Sequence, residues 1–240
     1  MGELYSEHFT KKTSSQRSVK WITHYNSTQR ILLVGEGDFS FSACLANAFG
    51  SAKNMVATSL DSKATLYWKQ WSSEAHLQDL KELRCVILYK IDVKNMHEHK
   101  VLKNMKFDRI IFNFPHAGHD PLLKESDKKL IMKHRKLLEN FFMSSSKMLS
   151  EEGEVHVTHR NDYPYRKWKL EKLAKKAGFV LVEMVEFMKE KYPGYHNKRG
   201  GSIKSNKKFP LKECFTFKFS LEKSLEEDDG LIMKMSSLLL

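Results

Sequence analysis

The sequence is short of cysteine, of long apolar runs and of acid, and each shortage excludes something. Three cysteines, Cys44, Cys85 and Cys214, are odd in number and far apart, with no Cys-x-x-Cys pair. Neither a disulfide framework nor a zinc site is signalled, and no metal is expected. No apolar run approaches the ~18 residues that a membrane span requires. The N-terminus lacks the apolar core of a signal peptide, so an intracellular, reducing compartment is expected. Met1-Gly2 followed by Ser6 fits the loose N-myristoylation template, but Glu3 beside Gly2 makes a poor acceptor. No internal repeat is visible.

Acids number 29 against 41 Lys and Arg, a formal charge of +12. A protein this basic usually meets a polyanion. The excess is concentrated in residues 160–176 and 189–212, both in the last third of the chain; the plain alternative is a solvated face. With 41% hydrophobic and 29% charged residues over 240 positions, the composition is that of a globular chain with one main domain.

Residues 1–28 are polar, basic and without a sustained period, and are expected to form a mobile lead-in. Residues 29–220 carry the domain, and 221–240 a tail whose apolar end, Leu231 to Leu240, is too short to span a bilayer. Ile31–Val34 is a continuous apolar run, as in a strand buried on both faces. Phe41, Cys44, Leu45, Ala48 and Phe49 then follow a helical period up to Gly50. Strands are expected at 54–59, 85–91, 108–113, 154–158, 180–187 and 214–219. Helices are expected at 62–70, near 74–83, along 130–148, and from Pro164 to Gly178. The last two strands are joined without a helix and are most simply antiparallel. The expected fold class is α/β: a Rossmann-like, seven-stranded, mostly parallel sheet with an antiparallel last strand and helices on both faces.

The turn after the first strand is Gly35-Glu36-Gly37-Asp38-Phe39-Ser40. Its glycines permit a sharp bend and close approach to a ligand, and Ser40 opens the helix. A dinucleotide would place its pyrophosphate here. Glu36 and Asp38 repel that group and suit a cationic ligand such as S-adenosylmethionine; as an alternative, Asp38 serves only the helix start. Asp61 ends the second strand, where Rossmann sites hold ribose hydroxyls, and Asp92 follows the third, within reach of an adenine amino group. Each also reads as a cap or turn acid. At the tip of the fourth strand stands Asn113-Phe114-Pro115-His116-Ala117-Gly118, similar to the Asn-Pro-Pro-aromatic signature of methyltransferases that act on planar nitrogens, with Phe114 in place of the first proline.

These segments, with Ala57 to Asp61, Glu154 to His159 and Tyr192 to Gly200, resemble the rRNA (uridine-N3) methyltransferase-like domain family from about residue 30 to 219. The resemblance implies S-adenosylmethionine as cofactor, RNA (rRNA or a pre-ribosome) as partner, and a nucleolar, nuclear or cytoplasmic location. The expected catalytic set is Asn113, Pro115 and His116, with Asn113 holding a uridine edge. His116 is either the proton acceptor or an ordinary turn histidine. The cofactor set is Gly35, Glu36, Gly37, Asp38, Ser40, Asp61 and Asp92. In the basic loop, Tyr192, Tyr195, Asn197, Lys198 and Arg199 are the expected substrate contacts, with Tyr195 stacking on a base or filling the gap that a flipped base leaves. His156 and His159, three apart on a strand, point to opposite faces and cannot share a metal. Rival readings are a non-catalytic RNA-binding module on the same scaffold and a nucleotide-dependent oxidoreductase, which the acidic turn disfavours. A methyltransferase for small molecules or proteins leaves the basic last third unexplained.

Overall fold

A computed structural model describes residues 18–70, 72–199 and 205–222. The tail expected at 221–240 lies outside them beyond residue 222, as do the myristoylation template and part of the basic loop. In chain order the elements are β1 (Trp21–Ile22), β2 (Tyr25–Asn26), β3 (Ile31–Leu33), α1 (Ser40–Phe49), β4 (Met55–Ser59), α2 (Lys63–Lys69), α3 (Ser73–Glu82) and β5 (Val86–Tyr89). There follow β6 (Phe107–Asn113), α4 (Lys128–Ser146), β7 (Leu149–Arg160), α5 (Leu170–Lys175), β8 (Phe179–Glu186) and β9 (Cys214–Leu221).

Seven strands form one sheet in the order β5-β4-β3-β6-β7-β9-β8, with β9 antiparallel to both neighbours and the β3, β4, β5, β6 and β7 pairings parallel. This is the Rossmann-like methyltransferase fold that the sequence pattern predicts. Consecutive side chains of β3 point to opposite faces, and both faces are covered. Leu32 packs with Ile110, Phe112 and α4, while Ile31 and Leu33 pack with α1 and α3. No helix among the described residues is long and apolar enough to cross a membrane.

Three expectations need correction. Residues 18–28 are not a loose lead-in: β1 and β2 form an antiparallel hairpin that carries Tyr25 into the core, 1% exposed. The hydroxyl of Tyr25 meets His156 Nδ1 at 3.1 Å and its ring meets Phe41 edge-on. A two-residue strand is too short to produce a readable alternation. Next, β7 begins at Leu149 rather than near 154, because Leu149 pairs with Phe107 across a bulge. Finally, the helix expected from Pro164 is broken at Lys169, which sits at φ 56 between a 3-10 turn, Tyr165–Trp168, and α5. That break turns Trp168 inward, 1% exposed.

Replacing Tyr25 with Ala should cost roughly 3–5 kcal/mol, the usual penalty for deleting a buried ring. A urea titration at unchanged m-value would measure it; a mobile lead-in would give no change.

Candidate active site

Gly35 follows β3 at φ +69, and a Cβ there would lie 2.5 Å from the Phe112 ring. Only glycine satisfies both conditions. The turn is pinned from the next strand: the Glu36 N–H donates to the Thr58 carbonyl and Ser59 Oγ donates to the Glu36 carbonyl. Gly37 is different, since a Cβ there would meet nothing within 4 Å.

Both acids of the turn attend the start of α1. Glu36 accepts from the Ser42 N–H at 3.1 Å and from Ser42 Oγ at 2.6 Å, and burial pushes its carboxyl up to about 7 against those two bonds. Burial also works to raise Asp38, but hydrogen bonds from Ser40 outweigh it and hold that carboxyl below its ordinary value. Asp38 Oδ2 faces Lys198 Nζ at 3.4 Å and His196 Nδ1 at 3.5 Å. Of the two, Asp38 is the acid that meets cationic groups.

A cavity of about 380 Å³ opens beside this turn. All seven of the expected cofactor residues line it, and so do Asn113 and His116. Asp61 Oδ1 pairs with Lys69 Nζ at 2.8 Å. Asp92 Oδ1 accepts the Lys94 N–H at 2.9 Å, the turn role foreseen as its alternative. At the tip of β6, Asn113 keeps both amide atoms, Nδ2 and Oδ1, buried without a partner. An amide placed so is costly unless something binds it.

Phe114 follows at φ 48, a backbone state uncommon outside glycine. Its N–H donates to the Thr158 carbonyl, and its ring packs edge-on against Phe187 and Phe209. Pro115 lines a second, adjacent cavity rather than the first. The loop then closes on Glu125, whose carboxylate is approached by His116 Nε2 at 3.1 Å, His119 Nδ1 at 3.2 Å and His134 Nε2 at 3.4 Å. Burial opposes ionisation of Glu125, yet the imidazole partners hold its carboxyl far below the ordinary range.

Ligand atoms of His116, Glu125 and His134 fall within 4.8 Å of one another, a spacing compatible with a metal ion. The tautomers point the other way. His116 Nδ1 accepts the Gly118 N–H and His134 Nδ1 accepts the Ala117 N–H. A neutral imidazole accepting at Nδ1 carries its proton on Nε2 and offers no lone pair there. The cluster is therefore a carboxylate bonded by His116 and faced by His119 and His134, and it ties down the loop beyond Asn113. For the same reason His116 presents no free lone pair as a proton acceptor.

The basic loop is arranged differently from expectation. Tyr192 is 4% exposed, stacked on Phe187 and bonded through its hydroxyl to Thr23. Tyr195, 9% exposed, packs edge-on against Phe41 and forms cavity wall rather than a base-stacking platform. Asn197 is buried, its amide donating to the Phe209 carbonyl at 2.6 Å. Lys198 turns inward to Asp38 instead of outward to phosphate. Among the expected substrate contacts, only Arg199 lines the second cavity without an ion pair to any described acid. Aromatic residues that contribute to a core cannot also stack on RNA, and aromatic spacing in a loop carries no sign of which way the rings face. Lys69 and His196 in the first cavity, and Tyr165 and Trp168 in the second, are not signalled by the sequence, and Lys198 is signalled only as a substrate contact. Their chain separations leave no local signal.

The BMT5-like family, described as rRNA (uridine-N3-)-methyltransferase BTM5-like, matches residues 32–199. The chain is 47% identical over 207 residues to heavy metal-associated isoprenylated plant protein 41 of Arabidopsis thaliana, covering 86% of this chain but 40% of that protein. It is 27% identical to the 25S rRNA (uridine(2634)-N(3))-methyltransferase of Saccharomyces cerevisiae, covering 80% of this chain and 72% of the relative. Among solved structures, NSun6 from Pyrococcus horikoshii with SFG superposes at a TM-score of 0.52 with 18% identity, over 82% of this chain and 48% of that one. That likeness is one of fold.

The two glycines should separate in experiment. Gly35→Ala should destabilise the protein by about 1–3 kcal/mol, from strain alone, read by thermal or urea unfolding. Gly37→Ala should leave stability within about 0.5 kcal/mol while weakening S-adenosylmethionine binding about tenfold by isothermal titration. Because the folded carboxyl of Glu36 is raised, the stability tied to it is complete below pH 4.5 and is lost as pH rises through about 7. Glu36→Gln keeps an acceptor for Ser42 and cannot ionise. It should gain about 2–3 kcal/mol over the parent between pH 5 and pH 8, measured as urea midpoints at the two pH values.

Proposed function

Because the chain belongs to the BMT5-like rRNA (uridine-N3-)-methyltransferase family, we propose that it transfers a methyl group from S-adenosylmethionine to N3 of a uridine in large-subunit rRNA. The observation that carries this reading is Asn113: an amide with both polar atoms buried and unpartnered, in the wall of the cavity that also holds Gly37 and Asp38. The named activity of the yeast relative supports the choice of position and RNA.

The residues fit the cofactor. Asp38 is ionised and already set against cationic groups, as a ligand with amino and sulfonium charges requires. Gly37 leaves open the space that a close-lying ligand needs. Asp61 and Asp92 would take the ribose hydroxyls and the adenine amine, and Glu36 would hold the start of α1 rather than the ligand. When bound, S-adenosylmethionine supplies a methyl group on a positively charged sulfur.

Uracil presents a carbonyl on each side of an N–H. Asn113 Oδ1 accepts from N3–H while Nδ2 donates to one flanking carbonyl, which holds the ring in plane. With S-adenosylmethionine bound, N3 would take its methyl group in the place vacated by the N3 proton, which passes from Asn113 to water, since the nitrogens of His116 are engaged by Gly118 and Glu125. Rate then comes mainly from alignment in a closed site. Arg199 and the basic segment after β8 contact RNA phosphates. The substrate places the protein in the nucleolus, nucleus or cytoplasm, wherever that rRNA is matured.

Incubating the protein with labelled cofactor and total RNA should yield 3-methyluridine by nucleoside mass spectrometry. In Asn113→Ala, cofactor affinity should be retained and kcat/KM should fall about 100-fold or more. An inactive parent that still binds RNA would instead identify a non-catalytic RNA-binding module.

A further inference from the structure

Beyond Phe114 lies a second hollow of about 210 Å³ that the cofactor residues leave unused. It meets the first at Phe114, His116, Lys198 and Phe209, which line both. The two differ in chemistry: the first carries four acids, Glu36, Asp38, Asp61 and Asp92, beside two lysines, and the second aromatic rings and two arginines beside one acid, Glu125.

Three side chains in the wall of the second hollow, Trp168, His159 and Glu125 (at Oε2), carry buried polar atoms with no hydrogen-bond partner among the described residues. Trp168, 1% exposed, stacks on His134 with centroids 4.0 Å apart, and its Nε1–H has no acceptor. His159, 4% exposed and 4.6 Å from the Trp168 ring, leaves Nε2 without a partner. Burial lowers the His159 pKa to about 3, so the ring is neutral. Buried polar groups are normally paired, and unpaired ones gathered in one small hollow, the two N-bearing rings among them, are what a polar ligand would complete. Apolar surface comes from Pro115, Phe209 and Pro210.

The two arginines in the wall differ. Arg160 is held by Asp162 through both ends of its guanidinium and lies over the Tyr165 ring at 4.2 Å. Arg199 pairs with no described acid and remains available to an anion. A flat aromatic-walled hollow with buried hydrogen-bonding atoms and a free guanidinium fits a nucleobase with its phosphate.

We propose that the target base lies where the two hollows meet, its N3 edge on Asn113 in the first and its ring in the second, and that Trp168 selects uracil over cytosine by donating Nε1–H to the C4 carbonyl, where cytosine carries an amino group. Asn113 alone discriminates poorly, because its amide can turn over and donate to the bare N3 of cytosine. An indole N–H only donates, and opposite an amino group both donors stay unpaired. This inference rests on the methyl transfer proposed above, and it replaces the buried Tyr192 and Tyr195 as the residues that contact the base.

The test uses the full chain with S-adenosylhomocysteine present, titrated with uridine 5′-monophosphate and cytidine 5′-monophosphate. The parent should bind the uridine nucleotide about tenfold more tightly or better, and Trp168→Phe should bring the ratio close to one with S-adenosylhomocysteine affinity unchanged. Equal binding by the parent, or an unaltered ratio in Trp168→Phe, overturns the proposal. Should Trp168→Phe fail to fold, photo-cross-linking of the parent with 4-thiouridine monophosphate decides. Adducts mapped to Tyr165–Trp168 or Phe209 support the hollow, and adducts only elsewhere overturn it. If no 3-methyluridine forms in total RNA while uridine selectivity and these adducts persist, the hollow stands and only the methyl-transfer reading falls. If methylation proceeds and Trp168→Phe keeps full activity and selectivity, the hollow falls and the transfer stands.

Discussion

Leu33 of β3 is paired with Ala57 of β4 on one side and with Ile111 of β6 on the other, both in parallel. Parallel pairing fixes which ends of the strands lie together, so the carboxyl ends of β3, β4 and β6 emerge at one edge. The residues there follow without further adjustment: the glycine turn from β3, Asp61 just beyond β4, and Asn113 ending β6. Phe112 ties the turn to β6 more closely, since its ring fills the volume that a side chain at Gly35 would occupy. Cofactor turn and substrate tip are thus one packing unit. A change that widens the β3–β6 contact moves both halves of the site at once.

Most of this was legible in the sequence, because the signals are local. The run Ile31–Val34 is apolar at consecutive positions only because both faces of β3 are covered. The period of Phe41 to Phe49 located α1, although the helix is buried on nearly every side and Ala48 of that period is exposed. The acids at strand ends could be placed once the strands were placed. The remainder depended on long-range contacts. Tyr25 reaches His156 across 131 residues, and Lys198 reaches Asp38 across 160. No periodicity in a two-residue strand or a glycine-bounded loop encodes such a meeting.

Charge shows the same division. Read along the chain, the turn carries acids and no base, and the deduction of a cationic ligand rests on that. In three dimensions Lys198, His196 and Lys69 are brought to the same cavity. The deduction survives in altered form. Glu36, its carboxyl raised to about 7 by burial, is engaged by Ser42, so the charge that faces cationic side chains resides in Asp38, whose ionised form is favoured by Ser40 and by its basic neighbours. A ligand cation approaching Asp38 meets a carboxylate that already has a partner in Lys198. Binding is then an exchange of one cation for another rather than the neutralisation of a bare charge, which lowers the gain from the ion pair and leaves selectivity to shape.

The disagreements between folding and local preference gather at the end of β6. Phe114 occupies a left-handed backbone state, Asn113 keeps an unpaired buried amide, and Trp168 reaches the wall of the second hollow only because Lys169 breaks a helix. Each feature costs stability where it stands. The Glu125 cluster offsets part of that cost: His116 and His134 accept backbone N–H groups from Gly118 and Ala117, His116 donates to the Glu125 carboxylate and His134 faces it at 3.4 Å, which ties down the loop after Phe114. A histidine committed on both nitrogens to holding a loop is a poor proton carrier and a good positioning residue. On that account His116 holds the loop that follows Asn113, directly behind the unpaired amide, and the role that suits it is positioning rather than proton transfer.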